Sequence, residues 1–325
     1  MNAADVMANV VAELVDQIEA GAGTWAMPWR TLPTGIPTNA ATGVTYSGGN
    51  VIALTLAAAR RGWPNRWATY KQWQALGAQV RKGQAGTYGI RWNVKPGETI
   101  TEDDPDTGEP VTLQTADRVT WAKPFVVFNT HQVDGDPHPP TPSRVDPLER
   151  DQDADAFFAA IPARVRWGAG GPCYRTATDD VLMPDFDAFH TTADAYATLA
   201  HELGHWTGHR TRLARTYGRR FGDHTYTAEE LVAELSAAFT CALVGIDTVA
   251  RTDHAAYLAH WCQMLRTRPA VLWSVASKAQ AATDYLAGYS QQHAAPNLEP
   301  CANPQVCPPP GYSPSANSPG ALTRS

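Results

Sequence analysis

The chain has 325 residues, 43% of them hydrophobic, and a formal net charge of −6, which gives room for one large domain or two smaller ones with substantial cores. No run of about 18 apolar residues is present to span a bilayer, and the acidic amphipathic start "MNAADVMANVVAELVDQIEAG" lacks the basic-then-apolar pattern of a secretory leader, so no membrane partner and a cytoplasmic location are expected. Five scattered cysteines without a CxxC pair argue against a disulfide framework and a cysteine zinc knuckle.

In chain order, apolar periodicity predicts a helix over residues 3 to 20, a Trp, Pro and Thr loop, and a second helix at "GGNVIALTLAAARRG", which Gly62 and Pro64 end. A short helix at "ATYKQWQALG" follows, then strands at "YGIRWNV" and "WAKPFVVFNTHQV" joined by the acidic loop "ETITEDDPDTGEP". This first module is expected over residues 1 to 135, with a stiff Pro-rich linker at 136 to 150. The second module, 151 to 290, reads as helix and strand at "ADAFFAAIPARVRWG", a hairpin at "CYRTATDDVLMP", and helices near 192 to 207, 227 to 244 and 254 to 286. Cys241 and Cys262 fall in apolar helical patterns and read as core. Residues 291 to 325 lack apolar periodicity and are expected to be a disordered Pro-rich tail.

The net charge alone argues against nucleic acid, yet its distribution reverses the inference. Between residues 20 and 97 there is no Asp or Glu, while Arg30, Arg60, Arg61, Arg66, Lys71, Arg81, Lys82, Arg91 and Lys95 contribute nine cations. Trp25, Trp29, Tyr46, Trp63, Trp67, Tyr70, Trp73, Tyr88 and Trp92 lie among them. Cations that follow phosphates, with rings that stack on bases, are the combination that binds single-stranded DNA without sequence preference. The candidate contacts are Trp25, Trp29, Arg30, Tyr46, Arg66, Trp67, Tyr70, Lys71, Arg81 and Lys82. The competing reading is that the tryptophans are core and the cations solvated.

In "TLAHELGHWTGHR", His201 and His205 are four residues apart and share one helix face, with Glu202 one step round. This is the HExxH pattern of zinc hydrolases, in which two imidazoles and a third ligand hold the ion and the glutamate acts as general base. A surface helix carrying two histidines by chance is the alternative. Thr191 with Asp194 fits an N-terminal cap and Gly208 a stop. For the third ligand, Thr227 and Glu230 read as a capping box, which gives Glu230 a structural task. Glu234 has none and stands among Leu231, Val232, Leu235 and Phe239, so it is the expected ligand, with Glu230, Glu229 and His209 as fallbacks. One Zn2+ is expected, and two imidazoles with a carboxylate also accept Mn2+ or Co2+.

The chain resembles the ArdC-type antirestriction proteins over most of residues 5 to 290. The resemblance rests on "MPWR", "PTNAATGVTYSGGNV", "WATYKQWQALGAQVRKGQAGT" and "VFNTHQV" in the first half, and on "HELGHWTGHRTRL" followed by "EELVAELSAAF" in the second. It implies an α+β chain in which a small domain that binds single-stranded DNA precedes a zincin-like metallopeptidase domain, protecting mobile-element DNA of plasmids or phages as it enters a new host. By analogy with that fold, "DDVLMP" is expected to be the edge strand beside the cleft, where a protein or peptide substrate could add. Two departures are the extra tail and an additional small residue in "TYSGGNV". Two other functions stay open: a zinc metalloprotease recruited by DNA to DNA-bound proteins, and a regulatory peptidase whose basic half binds a protein.

Overall fold

The computed structural model describes residues 1–20, 35–95, 99–103, 110–114, 118–137, 147–215, 224–246 and 255–294. Helix α1 (Ala3–Ala20) opens the chain, its start closed by reciprocal bonds between Asn2 and Asp5. Its buried residues Val6, Val11, Leu14, Val15 and Ile18 recur at helical spacing and form one apolar stripe. There follow β1 (Thr38–Asn39), α2 (Gly49–Ala59), β2 (Arg66–Ala68), α3 (Tyr70–Ala75), β3 (Gln79–Val80) and β4 (Thr87–Lys95). A hairpin of β5 (Thr99–Asp103) and β6 (Pro110–Gln114) leads into the long β7 (Arg118–Asn129), a 3-10 turn at Thr130–Gln132 and β8 (Val133–Asp134).

The main sheet runs β1-β2-β7-β4, with β4 at its edge and antiparallel to β7. Asn50 at the start of α2 covers that edge: its amide donates to the Ile90 carbonyl at 2.9 Å and accepts from the Ile90 N–H at 2.7 Å. The backbone N–H and C=O of Ile90, which could pair with another chain, are thereby satisfied internally. The acidic segment read as a loop is partly strand, since Thr99 pairs with Gln114 and the register continues to Asp103 with Pro110. Its Thr, Ile and Val residues carry enough β propensity to pair, and the connection shrinks to residues 104–109.

The second half contains α4 (Pro147–Ala159), β9 (Arg164–Arg166), β10 (Cys173–Arg175), β11 (Asp180–Leu182), α5 (Thr192–Thr207), α6 (His224–Leu243), α7 (Ala255–Thr267) and α8 (Ala270–Ala294). The helix expected over 254 to 286 is two helices, because Pro269 lacks an N–H and pushes Arg268 out of helical geometry. Pro147 already opens α4 inside the expected linker, a position proline tolerates. Residues 138–146 of that linker and 295–325 of the expected tail lie outside the described residues.

"DDVLMP" does not form the sheet edge. β11 is the central strand of the three-stranded sheet β10-β11-β9, antiparallel to β10 and parallel to β9. The cause is Asp180, fully buried, which bonds Arg175 of β10 at 2.8 and 2.6 Å and pairs with Arg166 of β9 at 3.0 Å. The Arg175 and Thr178 contacts, which outweigh burial, hold its carboxyl well below the usual range. The edge strand is therefore β10, which packs on α5.

One core is common to both halves. Residues of α1, α2 and Ile90 of β4 cluster with Leu231, Leu235 and Phe239 of α6, Trp261 of α7 and Leu272 and Trp273 of α8. The small residues of "SGGN" explain themselves here, because a Cβ on Gly49 would lie 2.5 Å from the Trp273 ring. A second core joins α4, β11, α5 and the end of α8 around Phe157, Val181, Leu199, Leu203 and Leu286. Cys241 and Cys262 are buried, as their helical patterns require. Among the described residues no helix is long and apolar enough to cross a membrane.

Candidate metal centre and nucleic-acid face

Helix α5 begins where its sequence indicates: the Thr191 side chain accepts from the Asp194 N–H at 3.1 Å. It ends at Thr207, with Gly208 in right-handed geometry. Gly204, inside the HELGH segment, has a packing reason. A Cβ there would stand 2.3 Å from Ser236 Oγ and 3.2 Å from Ala233 Cα. The glycine lets α6 approach closely, and that approach delivers three α6 carboxylates to the two histidines.

The imidazoles of His201 and His205 meet edge to face, centroids 4.9 Å apart. Their Nε2 atoms converge on Glu230, at 3.8 Å from His201 and 3.6 Å from His205. His201, His205 and Glu230 are the group of potential metal-ligating side chains found among the described residues, their ligand atoms all within 4.8 Å of one another. Ligands about 2.1 Å from a tetrahedral ion stand roughly 3.4 Å apart, so this set fits a divalent ion with one position left open.

Glu234, the expected third ligand, lies on the other side of His201, 3.7 Å from Nδ1. The premise that assigned Glu230 to capping fails, because α6 starts at His224 and Glu230 is already in its second turn. Thr227 is buried within the helix, and its carbonyl accepts from the Trp261 indole at 3.1 Å. Glu229 contacts His205 Nδ1 at 3.4 Å and is gripped by Arg215 at 3.1 and 2.8 Å. Arg215, which the sequence reading missed, also bonds the Gly204 carbonyl at 2.7 Å and Thr207 Oγ1 at 2.8 Å. Each imidazole thus faces Glu230 with Nε2 and a separate carboxylate with Nδ1, an arrangement that fixes ring orientation and tautomer. His209 bonds Thr211 at 2.8 Å and is not in the group.

Burial disfavours the His201 cation, but the facing Glu234 and the charges of Glu202 and Glu230 outweigh it and raise the pKa. Burial pushes Glu229 up, and the His205 and Arg215 contacts more than reverse this. Glu202 is 7% exposed and within electrostatic reach of both His201 and Cys173 of β10. Glu202 stands on α5, the helix that packs on β10.

The proposed DNA contacts fare differently. Trp25, Trp29 and Arg30 lie outside the described residues. Trp67 is fully buried and offers no face for a base, as is its neighbour Trp73, whose indole donates to the Phe128 carbonyl at 2.9 Å. Both belong to cores that the β2 and α3 segment builds on β7. Arg66 is bound at 3.3 and 3.2 Å to Asp136, which neutralises it. Arg81 is 41% exposed but its guanidinium bonds the His131 and Val133 carbonyls and Asp134, stapling a loop. Tyr46 is half-buried and stacked on Phe125 at 6.3 Å. Tyr70, Lys71 and Lys82 are exposed.

Comparison with known proteins covers both halves. A family model described as the N-terminal domain of anti-restriction factor ArdC matches residues 4–128, and one described as a zincin-like metallopeptidase matches residues 152–278. The chain is 34% identical to the antirestriction protein ArdC of plasmid R388 in its metal-free crystal structure, covering 89% of this chain and 98% of that one with a TM-score of 0.68. The Mn(II)-bound structure of that protein matches at 33% identity, 87% and 97% coverage and a TM-score of 0.67. Protein y4eC of Sinorhizobium fredii is 37% identical over 87% of this chain and 91% of its own. DNA primase TraC of Escherichia coli is 36% identical over 87% of this chain, which spans only 27% of the primase.

Proposed function

The chain belongs to the ArdC-type antirestriction family, whose second half is zincin-like and implies a divalent metal, and from that premise we propose that it coats single-stranded DNA and so protects mobile-element DNA entering a new host. The observation that carries this reading is the likeness to the R388 antirestriction protein along 98% of that protein's length. The acid-free, cation-rich and ring-rich stretch from residue 20 to 97 supplies the chemistry for phosphates and bases. The metal ligands in this proposal are His201, His205 and Glu230, with Glu229 and Glu234 orienting the rings.

When bound, a zinc or manganese ion supplies Lewis acidity toward water and a carbonyl. Glu202 then removes a proton from water at its carboxylate. β10 offers its outer backbone edge to an extended peptide, and Glu229 with Arg215 keeps His205 from turning away. A second reading, a peptidase recruited by DNA to DNA-bound proteins, is favoured by the packing of α5, which carries His201, Glu202 and His205, against the edge strand β10. The site operates in the cytoplasm, where entering DNA meets restriction enzymes.

The purified protein is expected to bind mixed-sequence single-stranded oligonucleotides with little sequence preference and an affinity that falls steeply with salt. Fluorescence anisotropy over a salt series tests this. Absence of binding, or binding indifferent to salt, overturns DNA coating and leaves a peptidase whose basic half contacts protein.

A further inference from the structure

The buried or paired state of Trp67, Arg66 and Arg81 removes three of the expected DNA contacts. The β4–β7 ribbon supplies others. Their antiparallel register sets Gly89 opposite Phe125, Arg91 opposite Lys123 and Asn93 opposite Trp121. Directly opposed residues share a face, as do alternate residues along each strand. Where this face passes over α2 it is covered, Val127 packing into the cluster with Leu54 and Ala57. Farther along it is open: Arg91, Asn93, Trp121 and Lys123 are all exposed.

Two features of this open part stand out. Arg91 and Lys123 are like charges held side by side, and neither pairs with a carboxylate among the described residues. Such a cross-strand pair is destabilising by itself. Trp121 is 38% exposed, with the Lys123 ammonium 5.2 Å from its ring centre, and a register shift after its partner Asn93 marks a bulge that re-aims the ribbon there. Toward the body of the sheet the same face continues into Phe125, its ring laid across Gly89 and stacked on Tyr46. Ring, paired cations and ring therefore follow one another along β7.

We propose that the face formed by Arg91, Lys123, Trp121 and the Tyr46–Phe125 stack is where single-stranded DNA lies, its phosphates on the paired cations and a base on Trp121. A bound phosphate removes the repulsion between Arg91 and Lys123, and a base covers the exposed indole. A single strand fits better than a duplex, because the rings need unpaired bases to stack on. The inference rests on the DNA-coating reading and assigns its surface.

The test is anisotropy titration of a labelled single-stranded oligonucleotide, and of the same sequence as duplex, with the full chain. Variants are Arg91→Gln with Lys123→Gln, Trp121→Ala and Trp121→Phe, checked for unchanged metal content and melting temperature. Losing two phosphate contacts flattens the slope of log K against log salt by about 1.4. Trp121→Ala weakens binding by roughly five- to 150-fold, and Trp121→Phe restores most of it. If wild type binds single strands and the variants match it in affinity and slope, the surface is elsewhere while DNA coating stands. Variants impaired only toward duplex overturn the single-strand assignment. A wild type that binds no single strand removes the coating reading and this surface together.

Discussion

A Glu230→Ala variant is expected to lose its divalent ion, whereas Glu234→Ala keeps the ion with affinity weakened by about ten- to hundredfold. The difference follows from which imidazole nitrogen each carboxylate faces. Glu230 lies 3.8 and 3.6 Å from the two Nε2 atoms, and Glu234 lies 3.7 Å from His201 Nδ1. Removing Glu230 deletes one of three donors; removing Glu234 frees a ring to turn. Dialysis against Zn2+ or Mn2+, followed by elemental analysis and calorimetric titration, measures both. Glu230 is half-buried, so its loss is expected to leave the helix packing intact. A Glu230→Ala protein with full metal beside a metal-free Glu234→Ala protein returns the third ligand to Glu234.

Hydrolysis of any peptide substrate is expected to fall by about 10²- to 10⁴-fold in Glu202→Gln, the usual contribution of a general base. Glutamine keeps the size of this buried side chain but cannot take a proton from water. Glu202 is not in the three-residue ligand group, so metal content is expected to stay at the wild-type level. Peptide-library digestion followed by mass spectrometry, run on both proteins at equal metal loading, gives the comparison. Equal cleavage by the two assigns the base elsewhere.

The parts of this site readable in the sequence were those fixed by local chemistry. Thr191 caps α5, and helical spacing puts His201 and His205 on one face, whatever the rest of the chain does. The third carboxylate was not of that kind. "TAEE" has the letters of a capping box, yet α6 begins three residues before Thr227, and the contact of Gly204 with Ala233 and Ser236 sets which carboxylates reach the imidazoles. Gly204 carries that information, but only once its partner helix is known.

The proposed DNA face shows the same limit differently. Counting charges along the chain singled out residues 20 to 97, whereas the sheet brings Lys123 and Trp121 of β7 beside Arg91 and Asn93 of β4. Within the window, tryptophan could not be sorted by type: Trp67 and Trp73 are buried in the cores below β7. The break at Pro269 was missed although its cause is local, since proline is excluded from a helix interior.

The most direct test of DNA coating is the Glu202→Gln variant in a transfer assay, scored for survival of incoming plasmid DNA in a recipient that carries a restriction enzyme. Metal content and oligonucleotide affinity of the same protein are measured alongside. Protection equal to wild type, with metal and DNA binding unchanged, is the predicted result. Protection lost while both are normal contradicts it and makes proteolysis the protective activity.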